Sequence, residues 1–174
     1  MQEKIELKRL ENLYKYQILN APLDGDFDEI TSLAAKIFNV PIAIITLVDT
    51  DKIWFKSSFG LEVDGIPREN GLCSSAILAD DIYIVEDARA YPRALTNSLV
   101  AGSMGLQFYA AAPLKSLDGY NLGTFCIIDK SPRTLIGKET SMLLQLSRIV
   151  MDKLELKLQS RLLFGEMQKN ITTK

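Results

Sequence analysis

The chain of 174 residues contains no histidine. That removes the commonest general base and the commonest metal ligand among side chains. A Ser-His-Asp triad, a His-ligated haem and a His-based zinc site are all excluded. Cysteine is nearly as scarce: Cys73 and Cys126 are the only two, too few for a disulfide framework in a chain of this size. No run approaches the ~20 apolar residues a membrane span needs. The stretch Met1–Lys15 lacks the apolar segment of a secretory signal. Neither sign of charge dominates, with 20 basic against 22 acidic residues, so there is no field to hold nucleic acid or an anionic membrane. The glycines at 102, 105, 119 and 123 form no phosphate-cradling pattern. The run Asp24-x-Asp26-x-Asp28 fails as a calcium loop, because Glu29 stands where Gly is needed and Ala35 where a bidentate Glu is needed. The expectation is a reduced, cytoplasmic, soluble protein with no metal, no cofactor, no nucleic acid and no membrane among its partners.

What is present is an ordinary globular composition, 47% hydrophobic and 24% charged, in one domain spanning 1–174. Leu10, Leu13, Tyr14 and Gln17 have helical spacing and predict a helix over 3–20, broken by Pro22, Asp24 and Gly25. Asp26 and Glu29 have the spacing of a capping box for a second helix, with an apolar stripe of Phe27, Ile30, Ala34, Ile37 and Phe38 and an end at Asn39. Two strands, 42–48 and 53–59, lie too close in sequence for a crossover and so pair antiparallel. A loop follows, then a short helix from Gly71 to near Asp80, a strand over 82–86, and a long irregular stretch over 87–105 with a turn of helix at 94–100. The core runs from 23 to 131. A long helix over 138–168 ends the chain. Leu143, Leu146, Ser147, Val150, Leu154 and Leu158 line one of its faces; Ile149, Leu156 and Leu163 line another. So wide an apolar surface exceeds what docking on one sheet needs. It predicts a second helix against it, from residues 3–20 or from a second chain.

Residues 105–129, GLQFYAAAPLKSLDGYNLGTFCIID, organise the rest. Leu106–Lys115 and Leu122–Asp129 read as a hairpin turning at Asp118-Gly119, a pair that suits a type I′ turn with positive φ at both central residues. Phe108, Ala110, Ala112 and Leu114 point one way; Tyr109, Ala111 and Pro113 point the other. On the return strand Leu122, Thr124, Cys126 and Ile128 oppose Phe125 and Ile127. A hairpin apolar on both faces must be covered on both. Of the strand aromatics Trp54, Phe55, Phe108 and Tyr109, two are expected on each face. The alanines serve either as spacers for close helix packing or as the floor of a cavity, and periodicity does not choose between these.

Four strings carry a family resemblance: LYKYQILNAPLDGDFDEITSLAAKIFNVPIAIITLVDTDKIWFKSSFGL, IPRENGLCSSAI, IVEDARAYPR and FYAAAPLKSLDGYNLGTFCIID. Together they span residues 13–129. They resemble the GAF domain family, and within it the bacterial sensor and signalling modules found beside histidine kinases and diguanylate cyclases. The resemblance implies an α+β, GAF/PAS-like antiparallel sheet of five to six strands. Terminal helices cover one face, and loops and short helices enclose a pocket on the other. It implies a non-catalytic regulatory domain that senses an unknown small molecule and works through a homodimer. The dimer would form on the Ile149, Leu156 and Leu163 face, with a kinase or cyclase as output partner. Cyclic-nucleotide-binding GAF domains carry an Asn-Lys-Phe-Asp-Glu constellation that is missing here, and bilin binding needs a Cys in a His-bearing context.

The candidate pocket residues are Trp54, Phe55, Cys73, Ser75, Asp87, Arg93, Tyr109 and Ala111. Cys73 falls in the first turn of a predicted helix, where free amides favour a thiolate; otherwise it is a small apolar residue in the lid. Ser75 stands where related members usually carry a His. Arg93 is a guanidinium suited to an anionic ligand, or else it pairs with Asp87. Arg68 and Glu69 read as a solvated loop, with Arg68 within reach of the same mouth. Cys126 reads as core. Two alternatives to the sensor remain: a thiol-based redox sensor or GAF-type reductase using Cys73, and a structural dimerisation module with no ligand.

Overall fold

The computed structural model describes residues 2–19, 25–95, 100, 102 and 105–172. Its centre is a six-stranded, wholly antiparallel sheet: β1 (Ile42–Val48), β2 (Lys52–Phe59), β3 (Gly65–Pro67), β4 (Tyr83–Val85), β5 (Phe108–Lys115) and β6 (Asn121–Asp129), in the order β3-β2-β1-β6-β5-β4. Every residue of β1 is buried. That is the signature of a strand covered on both faces, and it explains the unbroken apolar run IAIITLV. β3 is three residues long, too short for its sequence to announce it.

One face is covered by α1 (Gln2–Lys15), α2 (Asp28–Phe38) and α5 (Gly137–Thr172). The other is covered by α3 (Leu72–Ala76), α4 (Pro92–Leu95) and two short 3₁₀ turns at 68–70 and 88–90. The alternation expected for the hairpin holds except at Leu122, which the register shift at the turn end puts on the helix side, away from Cys126 and Ile128. Phe108, Ala110, Ala112, Phe125 and Ile127 lie under α1, α2 and α5, whereas Tyr109, Ala111, Cys126 and Ile128 lie under α3. The alanines divide accordingly. Ala110 sits opposite Ile127 and Ala112 opposite Phe125, small residues that let α5 approach the sheet. Gly123 extends this logic to the backbone: a Cβ there would meet the Thr46 carbonyl oxygen at 1.9 Å.

Several local expectations change. The hairpin turn is not type I′, because only Gly119 has positive φ. The loop is longer, closed by Gly119 N–H to the Ser116 carbonyl and Ser116 N–H to the Tyr120 carbonyl, each 2.9 Å. The predicted capping box does not form. Phe27 occupies the N-cap of α2 with no side-chain cap, and Asp26 instead pairs with Lys157 of α5. Asn39 ends α2 as expected, in the left-handed conformation. Ile37 faces solvent, and Ala35 takes its place in the buried stripe. α1 stops at Lys15, and Gln17 turns left-handed. Residues 20–24 and 96–99, where a break and part of a helical turn were expected, lie outside the described residues.

α5 buries Leu143, Leu146, Ser147, Val150, Met151 and Leu154, and leaves Leu158 partly exposed. Its other apolar face is open: Ile149 is 51% exposed, Leu156 67% and Leu163 61%. α1 docks beside α5 through Tyr16, whose hydroxyl donates to Glu155 at 2.5 Å. No described helix is long and apolar enough to cross a membrane.

Candidate functional site

The lid face of the sheet is polar at its centre. β1 and β6 pair Thr46 with Thr124 and Ile44 with Cys126. Along both strands alternate residues share a face, so the two threonines and Cys126 look toward α3. The threonine hydroxyls are buried and lie 2.8 Å apart, with Thr124 N–H donating to Thr46 Oγ1 at 3.2 Å. Next in the sheet, Ala111 pairs with Cys126, and its small side chain leaves room above that thiol. Into this room come Cys73 from α3 and Tyr109 from β5.

Tyr109 Oη donates to Cys73 Sγ at 3.2 Å, and Cys126 Sγ donates to the Ile44 carbonyl at 3.5 Å, with both thiols lining the same cavity. Cys73 is 5% exposed and Cys126 1%. The Cys126 thiol, the Tyr109 hydroxyl and the threonine hydroxyls together hold the Cys73 thiol below its ordinary pKa, against the opposing effect of burial. The neighbouring Cys73 thiol and burial push Cys126 up. Burial and the neighbouring thiols push Tyr109 well above the ordinary phenol range. The ring of Tyr83 meets Tyr109 edge-on with centroids 6.2 Å apart.

The cavity between these residues is small, about 10 Å³. That is roughly the space of one water, for which about 10–15 Å³ is needed. Ile44, Thr46, Phe55, Ile66, Leu72, Cys73, Leu106, Tyr109, Cys126 and Ile128 line it.

Of the eight candidate residues, Phe55, Cys73 and Tyr109 line this cavity and Ala111 lies on the same face. Trp54 does not join them. It packs on the helix side, its indole N–H donating to Asp49 at 3.3 Å, with the Lys52 ammonium 3.7 Å above the ring. The reason is a bulge: Ile45 pairs with Ser57 and Thr46 with Phe55, so Lys56 is extra. The bulge keeps Ile53 and Phe55 on the lid side while Ser57 turns to the helices, where it meets Thr31 and Asp28. Ser75 is half-buried and outside the cavity lining. Asp87 caps the turn at 88–90 and pairs with Arg89 at 2.9 Å. Arg93 lies in α4, and its side chain is outside the described residues.

Sequence reasoning missed the residues that fasten the lid. Arg68 is no solvated loop residue. It donates to Glu6 of α1 and to the Asp49 carbonyl, each at 2.7 Å, and its own carbonyl accepts from the Ser74 hydroxyl of α3 at 2.8 Å. Arg9 also grips Glu6, at 2.7 Å. Burial raises the Glu6 pKa, but the hydrogen bonds from Arg9 and Arg68 outweigh it and bring the carboxyl down to about 2. At the far end of α3, Asn121 donates to the carbonyls of Ile77 and Ala79 at 3.0 and 2.9 Å. Asn121 opens β6 directly after the hairpin turn. That turn holds both terminal helices: Asp118 accepts from Asn12 and Lys15 of α1, and Leu117 N–H donates to Glu155 of α5 at 3.3 Å. The only sequence signal for this role was the position of Asn121 at a strand start beside Asp118-Gly119.

A lid of short helices over an antiparallel sheet, with the termini helical on the opposite face, is the arrangement the sequence resemblance implied. The GAF domain model matches residues 22–154. The chain belongs to the GAF domain family. A cyclic di-GMP phosphodiesterase of Pseudomonas aeruginosa is 38% identical over 138 residues, covering 79% of this chain and 24% of that protein. The chain thus spans about a quarter of the length of that relative. The GAF domain of an Acinetobacter phosphoenolpyruvate-protein phosphotransferase superposes with a TM-score of 0.65 at 18% identity, covering 86% of this chain and 92% of that one. A free methionine-R-sulfoxide reductase of Neisseria meningitidis, in complex with its substrate, also gives 0.65, at 19% identity, covering 84% and 87%. At such identities the likeness is one of fold.

Proposed function

We propose that this GAF domain is a non-catalytic, cytoplasmic regulatory module that converts lid position into the packing of its terminal helices. Those helices pair with a second copy through Ile149, Leu156 and Leu163. One observation carries the reading: the lid helix α3 is fastened at both ends to segments that also hold the terminal helices. Arg68 links its start to Glu6 of α1, and Asn121 links its end to the hairpin turn gripping α1 and α5. A small molecule larger than a water enters the cavity only if α3 lifts. Lifting α3 strains both fastenings, so occupancy biases the helices by the difference in contacts between the two lid positions. The Pseudomonas relative supports a place beside a catalytic output module, such as a kinase, cyclase or phosphodiesterase.

The test combines sedimentation with thermal denaturation across a panel of nucleotides, amino acids and organic acids. The expected result is a dimer whose midpoint and association constant shift together with at least one compound. A monomer at every concentration, with no compound shifting the midpoint, contradicts the proposal. A second reading, a dimerisation module that holds no ligand, is favoured by the cavity of about 10 Å³. It predicts a dimer that no compound perturbs.

A further inference from the structure

The two cysteines stand far apart in sequence, one in the lid and one in the central strand, yet they line one small cavity. Their surroundings are otherwise apolar apart from Tyr109 and the threonine pair. A core that needed only a small apolar filler at each position would have no use for a phenol aimed at one sulfur. We infer that Cys73 and Cys126 form a dithiol that closes to an intramolecular disulfide when the protein meets a peroxide, fixing the lid to the sheet.

The chemistry needs two groups and one oxidant. Cys73 Sγ, accepting a hydrogen bond from the Tyr109 hydroxyl, is the better nucleophile of the pair, because the thiolate is the attacking form. It attacks one peroxide oxygen and the O–O bond breaks. The departing hydroxide takes the thiol proton and leaves as water, and Cys73 becomes a sulfenic acid. Cys126 then attacks that sulfur, the S–O bond breaks, and the hydroxyl leaves with the Cys126 proton as a second water. Each peroxide therefore removes two electrons and two protons from the pair. The sulfurs, which line one cavity of about 10 Å³, must draw in to about 2.05 Å. The sheet is fixed by its ladders, so α3, a five-residue helix that only packs against it, makes the movement. That movement pulls on the Ile77 and Ala79 carbonyls held by Asn121. Formation of the bond does not depend on the proposed ligand, so either idea fails without the other.

The experiment treats the full chain with graded hydrogen peroxide, alkylates the remaining thiols after denaturation, and maps peptides without reduction. The expected result is joint loss of both thiols, one crosslink between the peptides bearing Cys73 and Cys126 within one chain, and full recovery with dithiothreitol. With Cys126→Ser, Cys73 should stop at a sulfenic acid that dimedone captures. With Cys73→Ser, Cys126 should stay a free thiol at the same dose. Tyr109→Phe keeps both thiols and should slow Cys73 oxidation by about three- to tenfold, the loss of one hydrogen bond to the thiolate. Independent sulfinic acids, a crosslink between chains, or two intact thiols in the peroxide-treated wild-type protein would each overturn the inference. The wild-type map decides it even if a variant fails to fold.

Discussion

The two faces of the sheet share the same strands but are built differently. The helix face is a deep apolar layer, with Phe108, Phe125, Leu143 and Val150 fully buried beneath long helices. The lid face is shallow, covered by short helices and turns, and keeps thiols, hydroxyls and a phenol at its centre. A long helix buries a continuous stripe and is costly to move. A five-residue helix makes few backbone hydrogen bonds of its own and depends on fastenings at its ends. The fold thus puts its rigidity on one face and its adjustable element on the other, with Arg68 and Asn121 bridging them.

The contrast is tested first where its effect is largest. Phe125→Ala on the helix face should cost about 3–5 kcal/mol, because long helices cannot settle into the space. Phe55→Ala on the lid face should cost at least about 1 kcal/mol less, since α3 can settle inward. Urea denaturation measures both; equal costs would mean that the lid is as rigid as the helices.

Next in size is the bridge itself. Glu6→Gln should destabilise by about 1–2 kcal/mol at neutral pH, less than the full carboxyl shift implies because the site is partly solvated. The folded-state pKa lies below the unfolded value of 4.5, at about 2. The stabilisation is therefore complete above about pH 4.5 and is lost as pH falls through about 2. The wild-type advantage over Glu6→Gln should shrink across that window in melting curves. A constant gap would assign the effect to packing alone.

Much of this was legible in the sequence. Alternation along Phe108–Leu114 and Thr124–Ile128 assigned the hairpin's faces correctly, because a side-chain period of two leaves little freedom once both faces are covered; Leu122 was misplaced, because the register shift beside the turn interrupts that period. Trp54 was not resolved, because the inserted Lys56 shifts register between two strands and leaves no mark in apolar spacing. The capping box failed because Asp26 found a cation on α5 instead, a tertiary partner no local pattern reveals. Arg68 and Asn121 escaped notice for the same reason. Each bonds to a residue far along the chain, Glu6 in one case and the end of α3 in the other. Cys126 was read as core, and it is core; what the sequence could not show is that the lid delivers Cys73 onto it.

The smallest expected effect on stability, and a sharp one on assembly, concerns the open face of α5. Leu156→Glu with Leu163→Glu should change folding stability by no more than about 0.5 kcal/mol, as both side chains are largely exposed. The same pair should convert the dimer to monomer in sedimentation. Unchanged mass would place the interface elsewhere.

The central claim is that α3 and the terminal helices move as one system. Hydrogen exchange in Asn121→Ser tests it most directly, because the substitution frees the end of α3 while Asp118 and Leu117 keep their own partners. The account predicts faster exchange in α3 together with α1 and the half of α5 that packs on the sheet. Faster exchange confined to α3 and the 116–121 turn, with α1 and α5 unchanged, would contradict it.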